Sequence, residues 1–181
     1  MNKSIIRSRI IKIRKKNYKK NLKINSEKLF LFLKKTKFNS KIFGGYYPSN
    51  HEIDDLEILY TLEKKKNLIS LPVIRKNNQM DFFQWSSKTP LKINKYGIPE
   101  PLSKKICYPD ILFVPLVGYD SEFNRLGYGG GFYDRYIDKI EKYKKIIKIG
   151  LAFSCQKLNR VPTTYYDRKL DIIITEKEIL E

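Results

Sequence analysis

Histidine and tryptophan each occur once in this chain and cysteine twice, while 19 acidic residues face 37 basic ones. Each shortage removes a class of chemistry. Around the single histidine, His51, no Ser-His-Asp or Cys-His catalytic arrangement can be built, and His51 reads as a surface or capping residue beside Glu52. Cys107 and Cys155 have neither the spacing of a metal site nor the number needed for a disulfide framework, so a reducing, cytoplasmic setting is expected. The longest apolar stretches, such as residues 111–117, fall far short of the ~20 residues of a membrane span. The basic N-terminus also lacks the apolar segment of a secretory signal. No membrane partner is expected.

What is present is enough for a packed core. The 181 residues are 41% hydrophobic and 13% aromatic, which suits one domain over residues 1–181 that folds alone as a monomer. The formal net charge of +18 would suit a nucleic-acid-binding protein. The basic residues are mostly lysine, however, are spread along the whole length, and accompany abundant isoleucine and asparagine. Codons rich in A and T favour those three residues together, so compositional drift accounts for the charge, and no specific nucleic-acid partner is expected. Such a field would still steer an anionic small molecule.

Four of the nine glycines fall within residues 125–135, Arg-Leu-Gly-Tyr-Gly-Gly-Gly-Phe-Tyr-Asp-Arg. A backbone free of Cβ takes positive φ at neighbouring positions and points successive N–H groups at one anion. The residues from Phe132 to Lys139 read as the first turns of a helix, whose N-terminus favours negative charge at the same place. Arg125 and Arg135 are forked donors for phosphate oxygens, and Asp134 is a hard oxygen ligand suited to Mg2+. The spacing is neither that of a Walker A loop nor that of a dinucleotide fingerprint. The other reading of this stretch is a turn between a strand and a helix, with the glycines serving geometry alone.

Along the chain, Ile6, Ile10 and Ile13 predict a basic amphipathic helix over 1–18, with Lys3 and Arg7 on one face; alone, that face reads as solvated. Ser26 and Glu27 read as the start of a second helix that ends near Asn39-Ser40. Residues 42–46 read as a strand, and Ile53, Leu56, Leu59 and Tyr60 as the buried stripe of a third helix, which makes Glu52 a first-turn acid. Strands are expected at 68–73, 80–85, 110–115, 146–153 and 172–175. Trp85 reads as core. Asp167 and Asp171, before the last strand, either share a metal with Asp134 or cap a turn. Near-continuous apolar strands alternating with helices predict a single three-layer α/β domain with a mostly parallel, Rossmann-like central sheet.

The loop at 125–135 resembles the signature of the 5-formyltetrahydrofolate cyclo-ligase family, and the resemblance extends in ordered blocks from Lys3 to Thr175. Lys3-Ser4-Ile5-Ile6-Arg7 is similar to the family's N-terminal Lys-x-x-x-Arg, which contacts ATP. Glu52-Ile53-Asp54-Asp55 is similar to Glu-(Ile/Val)-(Asp/Glu)-Thr, with Asp55 in place of the threonine. Tyr96 to Pro101 resembles the Gly-Ile-x-Glu-Pro loop, expected to be only a rigid turn.

The resemblance implies cyclisation of 5-formyltetrahydrofolate to 5,10-methenyltetrahydrofolate, with ATP as co-substrate, Mg2+ as cofactor, and ADP and phosphate as the other products. It implies nucleotide contacts from Lys3, Arg7, Arg125, Gly127, Tyr128, Gly129, Gly130, Gly131, Phe132, Tyr133 and Asp134. Folate contacts are implied for Tyr47, Glu52, Tyr128, Gly129, Gly130, Gly131 and Phe132, a catalytic part for Arg125, Tyr133 and Arg135, and metal ligation for Asp134 and Asp167. Two readings compete: a basic nucleic-acid-binding module with a glycine-rich turn, and a phosphate-loop enzyme for another substrate such as a sugar. The second leaves Glu52 without a role.

Overall fold

The apolar run between Pro109 and Pro115 lies in the middle of an eight-stranded sheet. In the computed structural model, which describes residues 2–19, 22–35 and 42–181, the helices are α1 (Lys3–Asn17), α2 (Ser26–Lys35), α3 (Leu56–Lys64) and α4 (Phe132–Glu141). The strands are β1 (Ile42–Gly44), β2 (Leu68–Ile74), β3 (Met80–Trp85), β4 (Leu91–Ile93), β5 (Pro99–Pro101), β6 (Ile106–Cys107) and β7 (Ile111–Pro115). They continue with β8 (Gly118–Tyr119), β9 (Arg125–Leu126), β10 (Ile147–Leu151), β11 (Ile172–Ile174) and β12 (Ile179–Leu180).

The main sheet runs β12-β11-β10-β7-β1-β2-β3-β6. The five strands from β11 to β2 pair in parallel, and β12, β3 and β6 close the two sides in antiparallel fashion. Two small hairpins, β4-β5 and β8-β9, stand outside it. No described helix is long and apolar enough to cross a membrane.

The three layers follow from the two-residue period of a strand. Ile111 and Phe113 of β7 join one core with Leu29 of α2 and Ile58, Leu59 and Leu62 of α3. Leu112 and Val114 point the other way, into a core with Tyr136, Ile137 and Ile140 of α4. These four β7 residues are at most 1% exposed, so both faces are covered and no polar alternation is tolerated. Truncating Phe113 to alanine is expected to cost about 3–5 kcal/mol. A smaller cluster holds α1 at the end of the sheet, where Ile6 and Ile10 meet Val117, Leu126 and Val161.

Several expectations shift. In α1 the third buried position is taken by Arg14, while Ile13 is only half-buried. α2 is capped by Asn25, whose Oδ1 accepts from the Lys28 amide, and its expected end at Asn39-Ser40 lies outside the described residues. α3 starts at Leu56, whose amide donates to Asp54, so Ile53 is buried before the helix and Tyr60 is exposed. Glu52 therefore lies in the loop after β1 and is no first-turn acid. Trp85 is core, buried beneath the exposed Tyr60, whose ring lies 5.8 Å away between centroids.

The order of the parallel strands is β2-β1-β7-β10-β11, so the direction in which strands are added to the sheet reverses between β1 and β7. In doubly wound sheets ligands bind at that reversal, beyond the carboxyl ends of the strands.

Candidate functional site

A cavity of about 740 Å3 opens beyond the carboxyl ends of β1, β2 and β7. Three groups of side chains line it: Lys3 and Arg7 from α1, Tyr47 and Glu52 from the loop after β1, and the glycine-rich loop through Asp134. Tyr96 and Ile98, from the turn between β4 and β5, line it from the far side.

The loop is built as its glycines require. Gly129 and Gly131 have φ of +104° and +65°, where side chains are strained. A Cβ on Gly129 would also stand 3.3 Å from the Arg7 guanidinium carbon. Gly131 is the N-cap of α4, so the first-turn amides of that helix face the cavity end of the loop.

Before the loop, the β8-β9 hairpin fixes Arg125. The turn is organised by Asp120, 1% exposed, whose carboxylate accepts from the amides of Glu122, Asn124 and Val161 and from the Asn124 side chain. Arg125 then reaches forward to Asp134, Nη2 to Oδ1 at 2.6 Å. The Arg168 amide donates to the same oxygen at 3.0 Å. Tyr133 places its ring 5.8 Å from the Arg125 guanidinium carbon, and its buried hydroxyl has no hydrogen-bond partner. Burial raises that phenol well above its ordinary pKa, so it stays protonated.

α1 closes one side of the cavity. Lys3 Nζ pairs with Asp167 Oδ2 at 2.6 Å, and Arg7 Nε donates to the Gly127 carbonyl at 2.7 Å. Burial pushes Asp167 up, but the bonds from Lys3 and Thr164 outweigh it and hold the carboxyl below its ordinary value. Asp171 binds the amide and ammonium of Lys148 and does not line the cavity. Among the described residues no three His, Cys, Asp or Glu side chains could hold a metal by themselves. Asp134 and Asp167 are hard oxygen donors on one cavity, a set that fits Mg2+ sharing its shell with phosphate oxygens and water.

On the opposite side Glu52 is 7% exposed and accepts from the Ser49 amide at 2.7 Å. Burial raises its pKa above the usual carboxylate value, while the Tyr128 hydroxyl, Ser49 and Arg14 hold it back. The turn that delivers it contains Asn50 and His51 in succession at φ of +48° and +63°. Such conformations cost on the order of 1–3 kcal/mol each and persist only where neighbours enforce them. His51 is exposed, its ring edge-on to Tyr18 at 5.1 Å.

A sequence-family model for the 5-formyltetrahydrofolate cyclo-ligase family matches residues 1–176. The chain belongs to the 5-formyltetrahydrofolate cyclo-ligase family. It is thereby an enzyme of a ligase family. A Haemophilus influenzae protein named 5-formyltetrahydrofolate cyclo-ligase is 36% identical over 143 residues, 75% of this chain and 76% of that one. The 5,10-methenyltetrahydrofolate synthetase of Aquifex aeolicus superposes with a TM-score of 0.79 at 29% identity, covering 99% of this chain and 92% of that one. The Mycoplasma pneumoniae synthetase gives 0.77 at 25%, covering 97% and 99%.

The residues that the cyclo-ligase resemblance singles out converge, with one exception. Lys3, Arg7, Tyr47, Glu52, Arg125, the loop from Gly127 to Gly131, Phe132, Tyr133, Asp134 and Asp167 all line the cavity. Arg135 does not. Its guanidinium donates to the carbonyls of Asn78 and Gly130, clamping the loop from outside. Sequence reasoning missed two residues. Tyr96 lines the cavity and meets Phe132 at 6.2 Å between ring centroids, so its turn is part of the wall. Arg14 is 1% exposed, and its only signal was a charge four and eight residues after Ile10 and Ile6 on the buried stripe.

Proposed function

We propose that the chain converts 5-formyltetrahydrofolate and ATP into 5,10-methenyltetrahydrofolate, ADP and phosphate, with Mg2+ as cofactor. The observation that carries this reading is that one cavity holds both halves of the site, the Lys3, Arg7 and glycine-loop side and the Tyr47 and Glu52 side. A transfer between two bound molecules needs both in one enclosed place.

The γ-phosphoryl moves from ATP to the formyl oxygen, breaking the bond to ADP. N10 then adds to the formyl carbon and loses its proton, and phosphate leaves with the former formyl oxygen, closing the ring. Phosphoryl transfer depends on positioning and charge neutralisation, which is what a glycine loop and fixed cations supply. Lys3, Arg7 and the amides from Gly127 to Gly131 bind the polyphosphate. Asp134 and Asp167 would hold Mg2+, which neutralises phosphate charge when bound. Tyr47 and Glu52 hold the folate, with Glu52 accepting hydrogen bonds from its N–H groups. Arg125 orients Asp134, the Tyr133 hydroxyl remains a protonated donor, and Arg135 holds the loop's shape. Residues 1–181 act as one domain, a cytoplasmic monomer without a nucleic-acid or membrane partner, on substrate with or without a glutamate tail.

The test is the fate of an oxygen-18 label in the formyl group. Recovery of the label in inorganic phosphate, with one ADP per methenyl product, is expected. Label released into water would contradict phosphorylation of the formyl oxygen.

A further inference from the structure

The Arg14 side chain is a permanent charge in a place where charge is costly. It is 1% exposed and bonded to no carboxylate. Its Nη1 donates to the Leu116 carbonyl at 3.1 Å, and its Nη2 donates to the Asn50 carbonyl at 2.7 Å and to the Tyr128 hydroxyl at 2.6 Å. Its Nε is buried without a partner. A guanidinium kept in this state at the cost of desolvation calls for a purpose.

The three acceptors belong to three different segments. Leu116 follows β7, Asn50 lies in the loop after β1, and Tyr128 sits among the loop glycines. They are the walls of the reversal between β1 and β7, and Arg14 bonds to all three. The Asn50 carbonyl belongs to the left-handed pair Asn50-His51, directly before Glu52. Fixing that carbonyl fixes the direction in which Glu52 leaves the turn.

We propose that Arg14 is a positioning residue for the substrate half of the site, holding Asn50 and the Tyr128 hydroxyl in one buried joint and, through them, Glu52. This rests on the cyclo-ligase reading, in which Glu52 receives the folate. The groups around Glu52 support it. Tyr128 faces it from the glycine loop, Ser49 and Tyr46 from the segment after β1, Asp55 from the start of α3 and Tyr133 from α4. Arg14 adds a cation to this set, and with the Tyr128 hydroxyl and Ser49 it offsets the burial of Glu52. Tyr128, bonded to Arg14, turns its hydroxyl to Glu52 and passes the effect on.

The sign follows. Removing a cation from beside a buried carboxylate raises the carboxylate's pKa, so the charged form is lost at a higher pH as the solution is acidified. The experiment uses the full chain as wild type, Arg14→Lys, Arg14→Met and Tyr128→Phe. Glutamate side-chain carboxyls are titrated by carbon-13 NMR, with Glu52 identified through Glu52→Gln, and the affinities for 5-formyltetrahydrofolate and for ATP are measured in parallel.

The Glu52 midpoint is expected to rise by about one unit in both Arg14→Met and Tyr128→Phe, and least in Arg14→Lys. Folate affinity is expected to fall about tenfold in Arg14→Met, with ATP affinity changed by less than about threefold and partial rescue by lysine. A midpoint unchanged in Tyr128→Phe overturns the proposal, as do equal losses of folate and ATP affinity. If Arg14→Met does not fold, Arg14→Lys and Tyr128→Phe carry the decision. Wild-type protein that binds no folate would overturn the cyclo-ligase activity instead, and the Glu52 titration would still decide the role of Arg14.

Discussion

Arg125 and Asp134 meet at 2.6 Å, Nη2 to Oδ1, with the arginine side chain only 4% exposed. The pair bridges the end of the β8-β9 hairpin and the first turn of α4, so it spans the glycine loop at its base. An ion pair buried to this degree gives little net stability, but breaking it strands a charge. The loop's shape and its acid are therefore coupled.

On the proposal that Asp134 holds Mg2+ beside the phosphates, Asp134→Asn is expected to lower turnover about 100-fold or more, since a neutral amide cannot replace a carboxylate there. It is also expected to lower stability by roughly 3 kcal/mol because Arg125 loses its counter-charge. Urea unfolding read beside turnover checks both. A second change, Arg125→Gln, should recover much of the stability and none of the activity. Wild-type turnover in Asp134→Asn would remove Asp134 from the chemistry.

Glu52→Gln is expected to raise the folate requirement about tenfold or more, the worth of hydrogen bonds to a charged acceptor, with a much smaller change for ATP. Steady-state kinetics with each substrate varied in turn separates the two. The opposite pattern would move Glu52 out of the folate half.

Asp55 is fully buried beneath this half. One carboxyl oxygen accepts from the Tyr46 amide at 3.0 Å and the other has no partner. Burial raises its pKa well above the ordinary value. A folded-state pKa above the unfolded one means that the stability it contributes is full below the unfolded value and is lost as pH rises through the folded one. Asp55→Asn keeps the acceptor for Tyr46 and removes the ionisation. It should raise stability by roughly 1–3 kcal/mol above the folded pKa and by less in acid. Urea denaturation at several pH values checks this, and a gain larger in acid than in base would contradict it.

Gly129→Ala is expected to strain a backbone at φ +104° and to press on Arg7. A loss of about 1–2 kcal/mol in stability and a weakened ATP affinity should follow, with folate affinity less affected. Calorimetric binding of each ligand distinguishes the two effects.

The layers of the fold were legible because β7 is apolar at every position and its neighbour β10 at all but Lys148, a pattern that a strand covered on both faces sustains. The glycine loop was legible because its φ values demand glycine. The start of α3 was misplaced because Ile53 mimics a helical stripe while belonging to the turn held by Tyr46, whose hydroxyl donates to the Ile53 carbonyl. Arg14 escaped because charge on an amphipathic helix normally marks solvent, and its burial is set by acceptors 36, 102 and 114 residues away. Arg135 was read as a phosphate ligand on type and position. Its engagement with two carbonyls depends on where Asn78 comes to lie, which no local pattern records.

The most direct test of the central claim is the absorbance of 5,10-methenyltetrahydrofolate as it forms from 5-formyltetrahydrofolate, ATP and Mg2+, with each component left out in turn. Formation that requires all three is the predicted result. No product from folded protein supplied with all three would contradict the claim.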